Sequence, residues 1–317
     1  MHELFIENMY GMRVGMLDYG ARLTRIEVPT SSGSFLNTIL RYASSKDYLS
    51  DPYYIGSTIG RFANRIRDGR FILMGRDVQL SMNETAHLNH LHGGFIGFDK
   101  KVWQVKNHER SAITLTVRSE DGEEGFPGAV HVEMHLKLLG NSTLAIKFYG
   151  TTDAPTIMNL TNHAYFNLSG SVDTIDQHKL QVLTDCYTPL NNRNLPNGEI
   201  EMVRGTRYDL RQPQSVYEVK NTIVNANYCF DQQQERVKKM AVLVHGPSNR
   251  TLTVGSTYPG LQVYFGNFLG KPFISNQGLC LEPQYFPDSP NLPQFPTTLL
   301  LPGQVYCHEI YYHFSNF

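Results

Sequence analysis

The sequence lacks the features that mark several large classes of protein. Lys and Arg together number 28 against 29 Asp and Glu, so the formal net charge is −1 and no cationic excess exists to bind a polyphosphate. We therefore expect no nucleic-acid partner. Apolar runs are short, with residues 240–244 among the longest, so we expect no membrane partner either. The N-terminus has neither the basic region nor the sustained apolar run of a signal peptide.

Cysteine is also scarce, and its spacing argues against two kinds of structure. The four cysteines are widely separated and form no Cys-x-x-Cys pair, which disfavours a zinc site or a disulfide scaffold. They are Cys186, Cys229, Cys280 and Cys307. Free thiols suit a reducing cytoplasm, which is the location we expect. No Gly-rich phosphate loop, dinucleotide fingerprint or Gly-x-Ser-x-Gly elbow occurs, so we expect no cofactor.

Aromatic residues and turn formers, by contrast, are abundant. The 317 residues include 18 Tyr, 17 Phe, 26 Gly and 16 Pro, a composition that suits strands joined by turns. Apolar and polar residues alternate with a period of two in many segments, which is typical of half-buried strands. Clear examples are residues 13–17, 23–28, 112–118, 130–136, 143–148, 251–254 and 261–265.

The spacing of these segments predicts an all-β fold, a large antiparallel β-sandwich with few short helices. At about 150 residues per domain the length would suit two domains. No linker, low-complexity stretch or charge run divides the chain, however, so we expect a single domain over residues 1–317. Residues 233–239 are compatible with a short helix or a solvated turn, and residues 43–48 with a helical turn. Residues 119–128 carry Asp-Gly and Pro-Gly turn signals and are interpreted as a hairpin loop.

Polar residues that suit a sugar ligand alternate along residues 156–170. If this segment is one strand, one face carries Asn159, Thr161, His163, Tyr165 and Asn167, while most of the other face is apolar. Hydroxyl, amide and imidazole groups supply the matched donors and acceptors that a polyhydroxylated ligand needs. An ordinary half-solvated strand would show the same alternation. The segment alone is therefore compatible with either interpretation.

A carboxylate, Glu282, ends a predicted apolar strand just before a Pro-rich loop. Pro283 restricts Glu282 to an extended conformation, and Cys280 lies two residues earlier on the same face of the strand. Partial burial there would raise the pKa of the carboxyl and suit it to act as a general base. A solvent-exposed Glu at the start of a loop is the alternative.

Basic residues are concentrated in two short segments. Four Arg occur between residues 61 and 70, where the Asn64-Arg65 pair could clamp hydroxyl oxygens and the other Arg suit a solvated turn. His87, His90 and His92 lie close together in sequence. Three His alone are a weak signal for a metal site, and no oxygen donor for the metal lies nearby in sequence. We therefore expect no metal and favour the interpretation that one of these His faces a ligand pocket.

Taken together and in order, these motifs resemble those of the aldose 1-epimerases, also called galactose mutarotases. The match covers nearly the whole chain, and the ordered set is far more specific than any single piece. It consists of Gly-Arg-Phe-Ala-Asn-Arg-Ile at 60–66, Leu-His-Gly-Gly at 91–94, Gly-Phe-Asp-Lys at 97–100, Trp103, Asp-Gly-Glu-Glu-Gly-Phe-Pro-Gly at 121–128, Asn-Leu-Thr-Asn-His-Ala-Tyr-Phe-Asn-Leu at 159–168, Tyr-Phe-Gly-Asn-Phe-Leu at 264–269, Leu-Glu at 281–282 and Pro-Asp-Ser-Pro-Asn at 287–291.

The resemblance implies a β-sandwich with an open sugar cleft and an isomerase that interconverts the α and β anomers of a free aldohexose such as galactose or glucose. It implies that His163 acts as general acid and Glu282 as general base. It also implies that Asn64, Arg65 and His92 contact the sugar. The expected partner is then a monosaccharide, the chain would be a monomer or homodimer, and neither a metal nor another cofactor is needed.

One position departs from the family pattern. Members typically carry a substrate-binding Asp in a segment that corresponds to residues 224–230, where this chain has Asn225. Asn keeps one acceptor and gains a donor but loses the charge, so the acid–base roles would survive while the preference among hydroxyls changes. Asn225 and Gln262, the latter from the alternating segment 261–265, complete the predicted substrate-binding residues.

Two alternatives stay close to this family. A catalytically silent sugar-binding or regulatory module could share the fold, because fold alone does not secure activity, and Asn225 favours some divergence. A hexose-6-phosphate 1-epimerase would need an Arg cluster in the cleft to meet the phosphate. The Arg residues available are Arg61, Arg65, Arg67 and Arg70.

A glycoside hydrolase is a more distant alternative. It would need a second carboxylate near Glu282, for which Asp288 and Glu124 are the candidates. The resemblance supplies a His in place of that second acid, so we rank this alternative below the others.

Overall fold

In a computed structural model of the chain, residues 1–140, 142–231 and 236–317 are described. Residues 233–235, part of the segment compatible with a helix or a turn, lie outside these ranges, and Lys238 and Lys239 at its end begin a strand. None of the helices in the described ranges is long and apolar enough to cross a membrane.

Strands make up most of the regular structure. In the first half of the chain they are β1 (Glu3–Glu7), β2 (Arg13–Leu17), β3 (Arg22–Pro29), β4 (Phe35–Asn37), β5 (Thr58–Ile59), β6 (Arg65–Arg67), β7 (Arg70–Leu73), β8 (Arg76–Gln79), β9 (Asn89–Leu91), β10 (Gln104–His108), β11 (Ala112–Ser119), β12 (Val130–Leu139) and β13 (Thr143–Thr152). In the second half they are β14 (Thr156–Ile157), β15 (Thr161–Asn162), β16 (Tyr165–Phe166), β17 (His178–Val182), β18 (Cys186–Thr188), β19 (Glu201–Met202), β20 (Gln214–Ser215), β21 (Asn225–Cys229), β22 (Lys238–His245), β23 (Thr251–Ser256), β24 (Gly260–Tyr264), β25 (Leu279–Gln284), β26 (Leu299–Leu300) and β27 (Tyr306–Ser315).

The helices are all short, as predicted. The one α-helix of the described residues, α1, covers only Val216–Val219. The 3-10 helices are Ser45–Ser50, Phe98–Lys100, Glu123–Gly125, Ile175–Gln177 and Ser289–Asn291. The first of these contains the end of the helical turn predicted at residues 43–48.

A nine-stranded antiparallel sheet has the order β10-β11-β12-β13-β27-β23-β22-β17-β20. Its strands show the predicted alternation. In β12, every second residue is buried, namely Val130, Val132, Met134, Leu136 and Leu138. The predicted alternating segments all lie within strands except for the last residue of 261–265. The loop 119–128 joins β11 to its partner β12, which confirms the predicted hairpin.

A second, six-stranded antiparallel sheet has the order β16-β25-β24-β21-β18-β19. Its register places Gln262 opposite Glu282 on one side and opposite Asn227 on the other. Residues directly opposite each other on paired strands point to the same face of the sheet, so these three polar residues share a face. Leu281 and Val263 lie on the opposite face and are fully buried.

The two large sheets enclose a common core. One cluster of buried apolar residues contains Leu115 and Ile146 of the nine-stranded sheet together with Val263 of the six-stranded sheet. Across the interface, the rings of Phe166 and Tyr312 are 4.9 Å apart. Burial of apolar area stabilises such packing by about 25 cal/mol per Å². The predicted antiparallel β-sandwich is confirmed.

Residues 156–170 differ from the single strand considered above. They form three separate two-residue strands, β14, β15 and β16, each paired with a different partner: β26, β5 and β25. Residues 156–168 are all buried, both within these three strands and at residues 158–160 and 163–164 between them. The assumption of one continuous strand is therefore wrong, and so is the alternative of an ordinary half-solvated strand. Polar side chains here are buried because neighbouring backbone groups bind them, as Asn159 Nδ2 binds Ala63 O at 3.0 Å.

Candidate active site

A cavity of about 400 Å³ lies over the polar face of the six-stranded sheet. Its wall includes both residues predicted as catalytic and all five predicted as substrate-binding. The lining residues are Pro52, Tyr53, Tyr54, Asn64, Arg65, Leu91, His92, His163, Tyr165, Asn194, Val224, Asn225, Gln262, Tyr264, Phe268 and Glu282. Residues that are far apart in the sequence thus meet in one place.

The carboxyl group of Glu282 lies in the wall of this cavity, held by the central strand β25. The residue is only 2% exposed, which excludes the alternative of a solvent-exposed Glu at the start of a loop. Burial raises the pKa of the Glu282 carboxyl to about 8, because the charged form loses its hydration. Oε2 has no hydrogen-bond partner among the described residues. The carboxyl is therefore able to hold or release a proton near neutral pH.

The imidazole of His163 lies beside this carboxyl. The backbone of His163 is fixed between β15 and β16: its N–H donates to Ser57 O at 2.9 Å, and its carbonyl accepts from Gly56 N at 3.0 Å. Nε2 is 3.7 Å from Glu282 Oε2. Burial lowers the pKa of His163 to about 4.

The two groups form a pair that holds one exchangeable proton over a wide pH range. With pKa values of about 8 for Glu282 and about 4 for His163, the pair is neither fully protonated nor fully deprotonated at neutral pH. One member can then donate a proton to a ligand while the other accepts one. This arrangement suits general acid–base chemistry.

A second imidazole, His92, faces the cavity in a defined tautomer. The backbone N–H of Asn64 donates to His92 Nδ1 at 3.1 Å, so Nδ1 carries no proton and Nε2 does. Burial holds the pKa of His92 well below its usual value, which keeps the ring neutral. The next residue, Gly93, packs against the backbone of Gly60, where a Cβ would lie 1.9 Å from the carbonyl oxygen. His92 therefore presents a neutral N–H donor.

The guanidinium of Arg65 lines the cavity while bound to a carboxylate on its other side. Nε and Nη2 donate to both oxygens of Glu84 at 2.7–3.0 Å. Glu84 also accepts from Asn89 Nδ2 at 2.9 Å. Such a bidentate pair fixes the orientation of the guanidinium, and Nη1 is not used in it.

Asn225 and Gln262 form a neutral amide pair in the cavity wall. Gln262 Nε2 donates to Asn225 Oδ1. This leaves the Asn225 amide N–H groups as donors, and Gln262 Oε1 is buried with no partner among the described residues. The pair thus offers both a donor and an acceptor, without charge, where a carboxylate would offer only acceptors.

Comparison with known proteins identifies the family. The family model for aldose 1-epimerase matches residues 3–313. The chain belongs to the aldose 1-epimerase family. It is 34% identical to the aldose 1-epimerase of Escherichia coli (strain K12), over 98% of this chain and 94% of that protein. It is 37% identical to the galactose mutarotase of Mus musculus, over 96% of this chain and 91% of that protein.

Solved structures agree with this assignment to the aldose 1-epimerases. The crystal structure of a GalM/aldose epimerase homologue from C. elegans is similar with a TM-score of 0.93 and 27% identity, covering 99% of each chain. The galactose 1-epimerase from Lactobacillus acidophilus NCFM is similar with a TM-score of 0.85 and 27% identity, covering 98% of this chain and 93% of that one. The resemblance predicted from the ordered motifs is confirmed.

Within this aldose 1-epimerase fold, the Arg-rich segment does not form a cluster in the cavity. Of its four Arg, only Arg65 is in the lining. Arg61 is buried, where it donates to the carbonyls of residues 120, 127 and 128. Arg67 is half-buried and Arg70 is exposed, and each forms an ion pair with an Asp side chain. Arg61 is thus an exception to the expected solvated turn.

The two candidates for a second carboxylate are engaged elsewhere. Asp288 accepts from the backbone N–H of Arg67 at 2.9 Å and from Asn291 Nδ2 at 2.7 Å. Glu124 accepts from the backbone N–H groups of residues 95 and 96 at 3.0 and 2.9 Å. Neither lines the cavity. Among the described residues in the lining, Glu282 alone carries a carboxyl group.

The three clustered His do not converge on a common point. Of the three, His92 alone lines the cavity, while His90 is fully buried with Nδ1 2.8 Å from Ser81 O. Among the described residues, potential metal-ligating atoms come together elsewhere. Those of His163, Cys280 and Glu282 lie within 4.8 Å of one another. Cys280 lies at Nδ1 of His163 and Glu282 at Nε2. An ion on one ring nitrogen would therefore face only one of the other two ligands.

Two prominent cavity residues were not predicted, Tyr54 and Asn194. The ring of Tyr54 packs 4.8 Å from His92 and 5.9 Å from His163, centroid to centroid. Its loop is held by Asp51, which accepts from Arg22 and from the backbone N–H of Ile55. Two sequence features could have indicated these residues: the adjacent tyrosines after Pro52 and the Asn-rich segment 191–197. Both features are also common in loops without a functional role.

Proposed function

We propose that this chain is an aldose 1-epimerase that interconverts the α and β anomers of a free aldohexose, such as galactose or glucose, by ring opening and reclosure. The observation that carries the proposal is the 3.7 Å approach of His163 Nε2 and Glu282 Oε2 in the wall of one cavity. Family membership supports it, and relatives are named aldose 1-epimerase and galactose mutarotase.

Ring opening needs a base at the anomeric hydroxyl and an acid at the ring oxygen. Glu282, as carboxylate, takes the O1 proton while the O1–C1 double bond forms. The C1–O5 bond breaks, and O5 keeps its electron pair and takes a proton from protonated His163. Rotation about C1–C2 then exposes the other face of the aldehyde. No covalent intermediate forms on the protein.

Ring closure uses the same two groups in the opposite protonation state. The proton is now on Glu282, which gives it to the carbonyl oxygen, while His163 accepts the proton of the C5 hydroxyl. The pKa of about 8 for Glu282 and about 4 for His163 favour this state in the unliganded cavity. Because opening and closure states contain the same number of protons, transfer of one proton within the pair converts one into the other.

The other five predicted residues hold the sugar in this proposal. His92 donates from Nε2, and Arg65 donates from Nη1, which Glu84 does not use. Asn64 is buried beside them with an amide N–H group to offer. Asn225 and Gln262 together supply a neutral donor and acceptor to the hydroxyls.

Three alternatives fit the cavity less well. A hexose-6-phosphate substrate would meet one lining Arg rather than a cluster, and a glycoside hydrolase would lack its second carboxyl in the lining. A catalytically silent sugar-binding module is favoured only by the divergent residue Asn225. The presence of both proton-transfer groups, His163 and Glu282, in the cavity argues against it. Binding of a sugar without acceleration of anomer exchange would establish that alternative.

Polarimetry on freshly dissolved α-D-galactose and α-D-glucose tests the proposal. We expect the protein to accelerate the approach to anomeric equilibrium above the rate in buffer and above that with heat-denatured protein. Glu282→Gln and His163→Asn should each lower kcat by about 100-fold or more. Full activity of Glu282→Gln would refute the assignment of the base, and a His163→Asn effect confined to KM would assign His163 to binding.

A further inference from the structure

The side chain of Asn194 reaches the cavity from the loop between β18 and β19. The turn that carries it is fixed by Asn191, whose Oδ1 accepts from the backbone N–H groups of Arg193 and Leu195 at 2.8 and 3.2 Å. The φ of Asn194 is 57°, in the left-handed region, which Asn adopts more readily than most residues. The loop therefore has a defined conformation where Asn194 meets the cavity.

The guanidinium of Arg193 connects this loop to the residues that orient Arg65. Nε and Nη2 donate to the carbonyl of His87 at 3.1 and 2.9 Å, and Nη2 also donates to Asn89 Oδ1 at 3.2 Å. Asn89 is fully buried, and its Nδ2 donates at 2.9 Å to Glu84, the carboxylate that binds Arg65. The loop and Arg65 are thus held by one connected set of hydrogen bonds.

The amide of Asn194 is oriented by a contact with the same part of the protein. Its Nδ2 lies 3.4 Å from Nε2 of His87. An amide nitrogen donates and does not accept, so the imidazole nitrogen is the acceptor of this contact. Oδ1 of Asn194 has no hydrogen-bond partner among the described residues. The side chain therefore offers an acceptor at the cavity wall.

Acceptors are what the other residues proposed to hold the sugar supply least. His92, Arg65 and Asn225 present N–H donors, as described above. Asn64 does the same, because its Oδ1 already accepts the backbone N–H of Arg65 at 2.9 Å. Of these five residues, Gln262 alone presents an acceptor, Oε1. Each sugar hydroxyl has a proton to donate, and burial without an acceptor costs free energy.

We propose that Asn194 is a further substrate-binding residue, whose Oδ1 accepts the proton of one hydroxyl of the bound sugar and so contributes to the choice of substrate. The inference rests on the proposed function, which puts a free aldohexose in this cavity. Among the described residues, no hydrogen bond joins Asn194 to His163 or Glu282. Asn194 therefore acts on KM rather than on the proton transfers that determine kcat.

Steady-state polarimetry on α-D-galactose measures this contribution. Asn194→Gly removes the amide and suits the left-handed backbone. It should raise KM about 3- to 10-fold, the cost of one lost neutral hydrogen bond, and change kcat by less than about twofold. Asn194→Asp keeps an acceptor oxygen and should keep KM within about twofold of the wild type. Asn192→Gly, at an exposed position of the same loop outside the lining, is the matched control and should change neither constant.

Deoxy sugars test whether the oxygen of Asn194 meets a hydroxyl. kcat/KM would be measured for galactose and for its 2-, 3-, 4- and 6-deoxy analogues with the wild type and with Asn194→Gly. The wild type should discriminate against one analogue about 3- to 10-fold more strongly than Asn194→Gly does, because that analogue already lacks the hydroxyl. An equal rise in KM for galactose and for every analogue would overturn the inference, as would a loss confined to kcat.

The outcomes separate this inference from the proposed function. If the wild type is active and Asn194→Gly has the wild-type KM, the sugar contact fails and the function stands. If the wild type does not accelerate anomer exchange, the function fails, and calorimetric titration with galactose decides on Asn194. A Kd raised about 3- to 10-fold in Asn194→Gly then supports the contact, whereas an equal Kd, or no binding by the wild type, overturns it.

A second variant keeps the test decisive if Asn194→Gly does not fold, as judged by circular dichroism. His87→Ala removes the imidazole that orients the Asn194 amide and leaves the carbonyl that Arg193 binds. It would replace Asn194→Gly in the deoxy series. Weaker discrimination against one analogue would support the contact, and discrimination equal to that of the wild type would overturn it.

Discussion

At the scale of single residues, burial moves the pKa values of Glu282 and His163 in opposite directions, to about 8 and about 4. The order is the reverse of the ordinary one, in which a carboxyl is the stronger acid. Activity requires one proton on the pair. Above about pH 8 the pair loses this proton and has no acid, and below about pH 4 it gains a second and has no base.

The dependence of kcat/KM on pH should therefore be a broad plateau between about pH 4 and about pH 8. Initial rates of anomer exchange, corrected for the spontaneous rate at each pH, would measure it. Ordinary pKa values of about 4.3 and 6.5 would instead narrow the plateau to that window, and a narrow profile would contradict the burial argument.

Glu282 should also cost the protein stability at alkaline pH. Its pKa is about 8 in the folded state and about 4.3 when the carboxyl is exposed in the unfolded chain, so between these pH values the folded state binds more protons. Stability contributed by this group is then present at low pH and lost as pH rises through about 8. Glu282→Gln removes this dependence. We expect its Tm to exceed that of the wild type at pH 9, with a difference that shrinks toward pH 5.

Thermal unfolding at several pH values, with Asp77→Asn as an exposed-carboxyl control, measures this effect. A Tm difference between Glu282→Gln and the wild type that does not change with pH would show that the carboxyl is not desolvated as described.

At the scale of elements, Asp288 joins the loop after β25 to the strand that carries Arg65. Asp288 is fully buried, and its Oδ1 accepts from the backbone N–H of Arg67 in β6 at 2.9 Å. Its own N–H donates to Arg65 O at 2.8 Å. The residue thus connects the element of the proposed base with that of a predicted sugar-binding residue.

Asp288→Ala should destabilise this junction by about 2–4 kcal/mol, because it leaves buried donors without an acceptor. KM should rise more than kcat falls, since Arg65 rather than Glu282 loses support. Urea unfolding and steady-state kinetics measure the two effects. Asp77→Ala, which breaks the exposed pair with Arg70, should change neither. Equal effects of the two substitutions would contradict the assigned role of Asp288.

Strand alternation in the sequence was a sound guide to most elements but not to residues 156–170. Alternation with a period of two predicts a strand where one face of the strand packs on the core and the other faces water, as in β12. Residues 156–168 are buried on all sides, and their polar side chains bind the backbone of other segments. Asn159, for example, accepts from Tyr285 N at 2.8 Å and donates to Ala63 O at 3.0 Å. Such tertiary contacts leave no periodic trace in the sequence.

At the scale of the whole molecule, apolar residues from both ends of the chain share one core. Ile6 and Phe314 belong to the same buried cluster, which also contains Trp103, the single tryptophan. We propose on this basis that the chain folds as one domain. Fluorescence of Trp103 and far-ultraviolet circular dichroism should then report the same urea midpoint. Two separated transitions would show that the chain contains independently folding parts.

Long-range assembly also explains how far the site could be predicted from the sequence. All seven predicted residues line one cavity. Six of them could be predicted because they lie in, or align with, the ordered motifs of the family, whereas Gln262 came from an alternating segment. Tyr54 and Asn194 could not be placed, because their positions depend on loops fixed by distant partners, such as the pairing of Arg22 with Asp51. The pairing of Asn225 with Gln262 depends likewise on the register of β21 and β24.

The central claim is that Glu282 and His163 act as one proton-sharing unit, and a double-mutant cycle tests it most directly. Rates of α-D-galactose anomer exchange would be measured for the wild type, Glu282→Gln, His163→Asn and the double variant. We predict that each single substitution lowers kcat by about 100-fold or more and that the double variant is no slower than the slower single variant. Losses that multiply in the double variant, or a single variant with wild-type kcat, would contradict the claim.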